Sequence, residues 1–476
     1  MEDKPAFAHS VKTSSEPLSK LHVIGLSLLL ATIIVFGVSI EFRSAFLEKC
    51  HTDIGPYLRA AWCVRTGGDI YKITDDNGLH YIYPPLLAIL MTPLADPPHG
   101  EDRTGYLPYE VTVGLWYMIT MALVFAGIEI LAGTVEEPFR HLEAGRGRRF
   151  SRRWWVLRTV PLLILLPAIG DTQSHGQVNL LIAFFFCCVA VSILKGRRLR
   201  AGLWLSAAIC VKLMPAFLLV FPLWRRDWRM LSGSAMGLLA GLILVPLVVL
   251  GPGRTAESYK SFYQETVIAG IRGDPGGSRG AELTGIKSTN NNSPMVVLHN
   301  LMYPDGNSRP KVAHPSVRVA HWTMAFITLA ITLLASGWKG RWYSGKVDAT
   351  VAEVCFFSSF IPLMFLASPV FHTHHGAMAL PLVMVLLVML WERYSYGHIP
   401  PRWQAVFWLF AVSHFLTSIG VGLFLYFREF GLVLLSTVTL WVATLIAIRQ
   451  TALLPFIIGN ARAEAFSNQH REGGGS

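Results

Sequence analysis

The chain has 476 residues, of which 52% are hydrophobic and 15% charged, with a mean hydropathy of +0.44. Soluble domains carry about 25% charged residues, so this composition excludes a soluble globular protein. The net charge of +11 is not a nucleic-acid footprint either, because Arg and Lys sit in short clusters between apolar runs, where they set membrane topology.

Several apolar runs reach the roughly 20 residues that a helix needs to cross a bilayer, and they lack the alternation of barrel strands. The fold class predicted is therefore an all-α polytopic membrane protein. Residues 1–20 hold Lys4, Lys12 and Lys20 and read as a cytoplasmic tail. The apolar run after it, 21–40, is long and lacks an A-x-A site, so it reads as the first span and not as a cleavable signal.

The stretch 41–110 then falls outside the cytoplasm. Within it Ile54, Tyr57, Leu58, Ala61 and Trp62 recur at helical spacing, with Arg59 and Arg65 on other faces. This pattern predicts a short helix lying on the membrane surface and ended by Gly67-Gly68. Asp53 stands at its start, either as a helix cap or as a functional carboxylate. The piece 84–95 holds three prolines, is short for a crossing, and reads as juxtamembrane or re-entrant. The run 111–133 crosses inward and delivers Arg140, Arg146, Arg148, Arg149, Arg152 and Arg153 to the cytoplasm. Counting 84–95 as a span would put that cluster outside, against the positive-inside rule.

Residues 156–170 lead out and 178–194 return to Lys195, Arg197, Arg198 and Arg200. The run 201–224 has basic residues at both ends and is interrupted by Lys212 and Pro215, which predicts two short helices meeting at an outer turn. After 230–250 comes a long outer loop, 251–316. Spans near 317–336, 350–367, 376–391, 403–426 and 432–448 follow. The sum is about twelve crossings in a membrane domain of 21–450. The tail 451–476 ends in a Gly-Gly-Gly-Ser stretch that reads as an appended linker. Six scattered cysteines form no C-x-x-C pair. Cys187, Cys188 and Cys210 read as small hydrophobes, while Cys50 and Cys63 share the outer loop and can pair in an oxidising compartment.

This topology gathers five polar sets on one face. They are Asp53; Asp171 through His175, Gln177 and Asn179; Lys212; Glu257, Tyr259 and Lys260 with 290–293; and Ser368, His372, His374 and His375. Singly, each has a plain reading as a helix end, a solvated loop or a snorkelling lysine. Ionisable groups at membrane depth are costly and usually functional, and five sets on one face point to a shared site. No phosphate-cradling glycine motif follows a strand. The H-x-H-H cluster lacks a carboxylate partner, so neither a metal nor a cofactor is expected.

Taken in order, the motifs resemble those of the GT-C class of integral-membrane glycosyltransferases, specifically glycosyltransferase family 87. That family includes the polyprenol-phosphate-mannose-dependent mannosyltransferase of phosphatidylinositol mannoside synthesis and related arabinofuranosyltransferases. The resemblance runs through Asp53, Gly67-Gly68-Asp69-Ile70-Tyr71, Tyr83-Pro84-Pro85, Gly176-Gln177-Val178-Asn179, and Ala201-Gly202-Leu203 leading to Lys212 and Pro215. It continues with Asn292-Ser293 and His374-His375 ahead of Leu380-Pro381. It implies a GT-C-like fold of about twelve transmembrane helices whose outer loops carry short juxtamembrane helices. It also implies inverting transfer of a sugar, mannose foremost, from a polyprenyl-phosphate donor to a lipid or glycan acceptor, on the extracytoplasmic face of a bacterial inner membrane. Asp53 would take the acceptor proton. Lys212 with His374 or His375 would meet the donor phosphate, and Tyr83, His175, Gln177, Asn179 and Asn292 would contact substrate. The other class considered is a lipid or sugar transporter, which usually shows two related halves. No such halves are evident.

Overall fold

The computed structural model describes residues 20–42, 53–136, 151–268, 283, 285–286, 290–306, 308–335, 346–395, 401–422 and 428–450. It is an all-α polytopic membrane fold. The described helices are α1 (Lys20–Phe42), α2 (Ile54–Thr66), α3 (Pro85–Leu90), α4 (Tyr109–Glu136), α5 (Arg152–Ser174), α6 (Asn179–Leu194), α7 (Arg198–Val211) and α8 (Val220–Arg225). They continue as α9 (Trp228–Leu250), α10 (Pro252–Phe262), α11 (Pro294–Met302), α12 (Pro315–Ala335), α13 (Lys346–Ala367), α14 (Leu380–Ser395), α15 (Pro401–Gly422) and α16 (Leu432–Gln450). Seven helical segments among the described residues are long and apolar enough to cross a membrane. Three further apolar helices, Val23–Ser39, Asn179–Leu194 and Met214–Arg225, are shorter. Val248, Phe326 and Trp408 are 84%, 72% and 64% exposed. Large apolar side chains bared on spanning helices are what a hydrocarbon solvent tolerates and water does not.

Small residues fix the closest helix contact. Gly202, Ser206 and Cys210 on α7 face Gly233, Gly237 and Gly241 on α9, each series spaced by four residues. A Cβ at Gly202 would lie 2.0 Å from the Met230 main-chain oxygen, and one at Gly233 would lie 2.1 Å from that of Leu199. The backbones therefore touch, as small-residue seams allow in membranes. At the end of this seam α7 stops. Lys212 is extended (φ −147°, ψ 130°) and a 3₁₀ turn, Met214–Leu219, leads into α8. The predicted break falls at the predicted residue.

The piece 84–95 folds as the six-residue α3 and a 3₁₀ turn at Thr92–Leu94. Helix α2 differs from the surface helix predicted. Ile54, Tyr57, Leu58, Arg59, Ala60 and Ala61 are all buried. The charge that suggested a water-facing side is neutralised inside, since Arg59 meets Asp76 at 2.9 Å and Asp96 at 3.9 Å. Cys63 is a buried free thiol, and Cys50 lies outside the described residues.

One group of ion pairs lies at the end of the bundle away from α2. Arg153 binds Glu392 at 2.6 Å, Arg158 binds Glu129 and Glu136, and Arg198 binds Glu353 and Asp227. Helix α5 carries Arg153 near its start and Asp171 near its end, about 27 Å apart at about 1.5 Å per residue. The polar groups of the site lie at that second end.

Candidate active site

A cavity of about 440 Å³ opens at this end, walled by the start of α2, the α5–α6 turn, the break after α7 and the 3₁₀ turn Thr373–Ala379. Two contacts tie the α5–α6 turn to its neighbours, one from the start of α2 and one from α4. The Asp53 N–H donates to the His175 carbonyl (2.8 Å), and the Trp116 indole donates to that of Gly176 (2.9 Å). Gly176 is required there. Its φ is +66°, and a Cβ would come 2.8 Å from the Ile54 side chain.

Asp53 occupies the N-cap position of α2 but makes no side-chain cap bond. Its Oδ2 instead accepts from Gln177 Nε2 at 2.7 Å. The amide is oriented from behind, because its Oε1 accepts from the hydroxyls of Tyr57 (3.0 Å) and Tyr83 (3.3 Å). Reversing the amide would set two acceptors against each other at Asp53, so the network holds one arrangement.

Opposite stands Lys212, whose Nζ lies 3.0 Å from Asn179 Oδ1 and 3.0 Å from His375 Nε2. The protons can be placed by elimination. His375 Nδ1 accepts from the His372 N–H (3.0 Å), so a neutral ring carries its own proton on Nε2. In that tautomer the proton points at Nζ, an arrangement that favours the uncharged amine, with Nζ donating to Asn179. Burial acts in the same direction, pushing Lys212 down to about 7 against the pull of the Asp53 carboxylate.

The third group comprises Asp171, His175 and His374. Asp171 lies 3.4 Å from His175 Nδ1 and 3.6 Å from His374 Nδ1. Burial disfavours a charged His175 ring, yet the Asp171 carboxylate outweighs it and raises His175 to about 9. His374 is held in place by its main-chain oxygen, which accepts from Thr172 Oγ1 at 3.0 Å.

Of the residues singled out from sequence, Asp53, Tyr83, His175, Gln177, Lys212, His374 and His375 line the cavity. Asn179 is fully buried behind Lys212. Asn292 is not in the wall. It is buried and ties its side chain to the Asn290 carbonyl, while Asn290 itself faces the cavity. The set on α10 is elsewhere too, with the Tyr259 hydroxyl donating to the Leu242 carbonyl. Tyr57 and Arg428 stand in the wall without having been singled out, while Asp171, foreseen as part of a polar set but given no role of its own, lines it too. Tyr57 follows Asp53 by one helical turn, so spacing alone would have flagged it. Arg428 donates to Asn290 Oδ1 from far along the chain and carries no local signal.

The profile of glycosyltransferase family 87 matches residues 81–369. A polyprenol-phosphate-mannose-dependent alpha-(1-2)-phosphatidylinositol mannoside mannosyltransferase of Mycobacterium tuberculosis is 26% identical over 335 residues, 69% of this chain and 66% of that protein. Its Mycolicibacterium smegmatis counterpart is 25% identical over the same shares. A polyprenol-phosphate-mannose-dependent alpha-(1-2)-phosphatidylinositol pentamannoside mannosyltransferase of Mycobacterium tuberculosis is 22% identical, over 70% of this chain and 66% of that one. The chain thus spans 66% of the length of each of these relatives. Among solved structures, ArnT from Cupriavidus metallidurans in the apo state aligns with a TM-score of 0.39 and 15% identity, over 91% of this chain and 78% of that one.

Proposed function

The chain belongs to glycosyltransferase family 87, and from that premise we propose that it transfers a sugar, mannose in the first instance, from a polyprenyl-phosphate donor to a lipid or glycan acceptor. The cavity is the reaction site, on the extracytoplasmic face of a bacterial inner membrane. No nucleotide sugars are present on that face, so an activated sugar arrives on a membrane-anchored phosphate, as the names of the mycobacterial relatives state for those proteins.

The observation that carries the reading is the Asp53 carboxylate, released from capping and held by Gln177 in the wall opposite Lys212. In an inverting displacement the acceptor hydroxyl oxygen forms its bond to the anomeric carbon while the carbon–oxygen bond to phosphate breaks on the opposite side. Asp53 takes the hydroxyl proton as the general base. The bonding electrons leave with the polyprenyl phosphate, an anion stable enough to need no strong acid. Lys212 and His375 meet that growing charge. A phosphate beside Lys212 favours its ammonium form, so donor binding raises the protonated share of an amine that titrates at about 7 in the empty site. Tyr83 and Asn179 hold these two groups in position, and His175 and His374 contact the substrate from the α5 side.

The test is transfer of labelled mannose from polyprenyl-phosphate-mannose to extracted membrane lipids by the purified protein. Asp53→Asn keeps the size of the side chain and its bond from Gln177. It is expected to fold and bind donor normally while transferring at least ~10²-fold more slowly. Near-normal turnover would move the base elsewhere. Absence of transfer from any polyprenyl-phosphate sugar would overturn the reading.

A further inference from the structure

We propose that Asp171, His175 and His374 form a zinc site in the wall of the cavity. From the sequence the histidine cluster lacked a carboxylate partner, and folding supplies one from about 200 residues earlier in the chain. Asp171 and His175 stand one turn apart at the end of α5 and so share a face. His374 is brought against them by the bond from Thr172. One donor atom from each of the three lies within 4.8 Å of those of the other two. Bonds of about 2.0–2.2 Å to a tetrahedral ion set its ligand atoms about 3.3–3.5 Å apart, so closing this triangle takes side-chain shifts of about 1 Å.

Two distances fit the edges of a tetrahedral ion. Asp171 Oδ2 to His374 Nδ1 is 3.6 Å, too long for a hydrogen bond, and Asp171 Oδ1 to His175 Nδ1 is 3.4 Å. Zinc would bind the His175 ring by displacing the proton that Asp171 now favours there. Two nitrogens and one carboxylate suit zinc, whereas magnesium and calcium favour all-oxygen sets. All three residues line the cavity, so an ion there has an entry path and adds positive charge where an anionic headgroup would bind.

The measurement is metal content, read without any transfer assay, so it stands or falls separately from the transferase reading. The full chain, purified in detergent without a polyhistidine tag and stripped with a chelator, is incubated with zinc. It is then gel-filtered and analysed by plasma mass spectrometry, with affinity from competition against a chromophoric chelator. A single zinc per chain is expected, with affinity reduced at least ~10-fold in His374→Gln and in Asp171→Asn. His175→Ala, at a partly exposed position, guards against loss of binding through misfolding and should weaken zinc likewise. His372→Ala should leave it unchanged. Zinc no higher than in protein-free micelles, or equal affinity in His374→Gln and the parent protein, overturns the proposal.

Discussion

Lys212 is the residue whose chemistry depends most on its surroundings. An ordinary lysine titrates near 10.5, while burial brings this one to about 7. The depressed value means that its protonated fraction falls as pH rises through 7. If the ammonium form receives the donor phosphate, donor KM should rise up to about tenfold per pH unit above about 7. Lys212→Arg keeps its charge throughout, so its donor KM should vary little with pH even though the different shape weakens binding. Lys212→Ala should weaken donor use by about 1–3 kcal/mol, the scale of a lost charge-assisted hydrogen bond. A parent profile that is flat from pH ~6 to ~9 would remove Lys212 from the phosphate site. Residues of this kind are legible in sequence because a charge inside an apolar run has few innocent explanations. Asn292 was misread for the opposite reason. A run of asparagines also builds turns, and here Asn291 and Asn292 tie backbone together while Asn290 alone reaches the cavity.

Among the elements, the α7–α9 seam decides where Lys212 hangs. Gly233→Ala places a Cβ 2.1 Å from the Leu199 main-chain oxygen, which cannot rotate away. The two helices must then part, at a cost on the upper side of the ~1–3 kcal/mol typical of overpacking. The expected result is a lower melting temperature in detergent together with weaker donor use, because the end of α7 carries the lysine. Gly253→Ala is the comparison. Its Cβ meets nothing within 4 Å, so stability should stay within about 0.5 kcal/mol of the parent. Equal melting temperatures for Gly233→Ala and the parent protein would show that the seam is looser than its geometry. The break at Lys212 and the short α3 were legible because proline and a buried charge act locally. The burial of α2 was not, since Arg59 looked like a polar face until Asp76 and Asp96 came in from later segments. Asp171 was passed over as a metal ligand for the same reason, as its second histidine arrives from another helix pair.

At the scale of the whole molecule, charge divides the bundle into two ends. Arg153, Arg158 and Arg198 are paired with carboxylates at one end, and Asp53, Lys212 and the histidines gather at the other. Apolar run lengths foretold the helices well, because each span is stabilised by its own backbone bonds and by lipid. In the orientation we propose from the positive-inside rule, the arginine-rich segment before α5 is cytoplasmic and the cavity lies on the far side. Single cysteines introduced within 146–153 should react only with reagents that cross the membrane, and those within 280–300 with impermeant ones. The background is low, because Cys63, Cys187, Cys188, Cys210 and Cys355 are buried, and Cys50 can be replaced by serine. Impermeant labelling of 146–153 in intact cells would invert the molecule. The cavity would then face the cytoplasm, where nucleotide sugars are at hand, and the case for a lipid-linked donor would lose its physical basis.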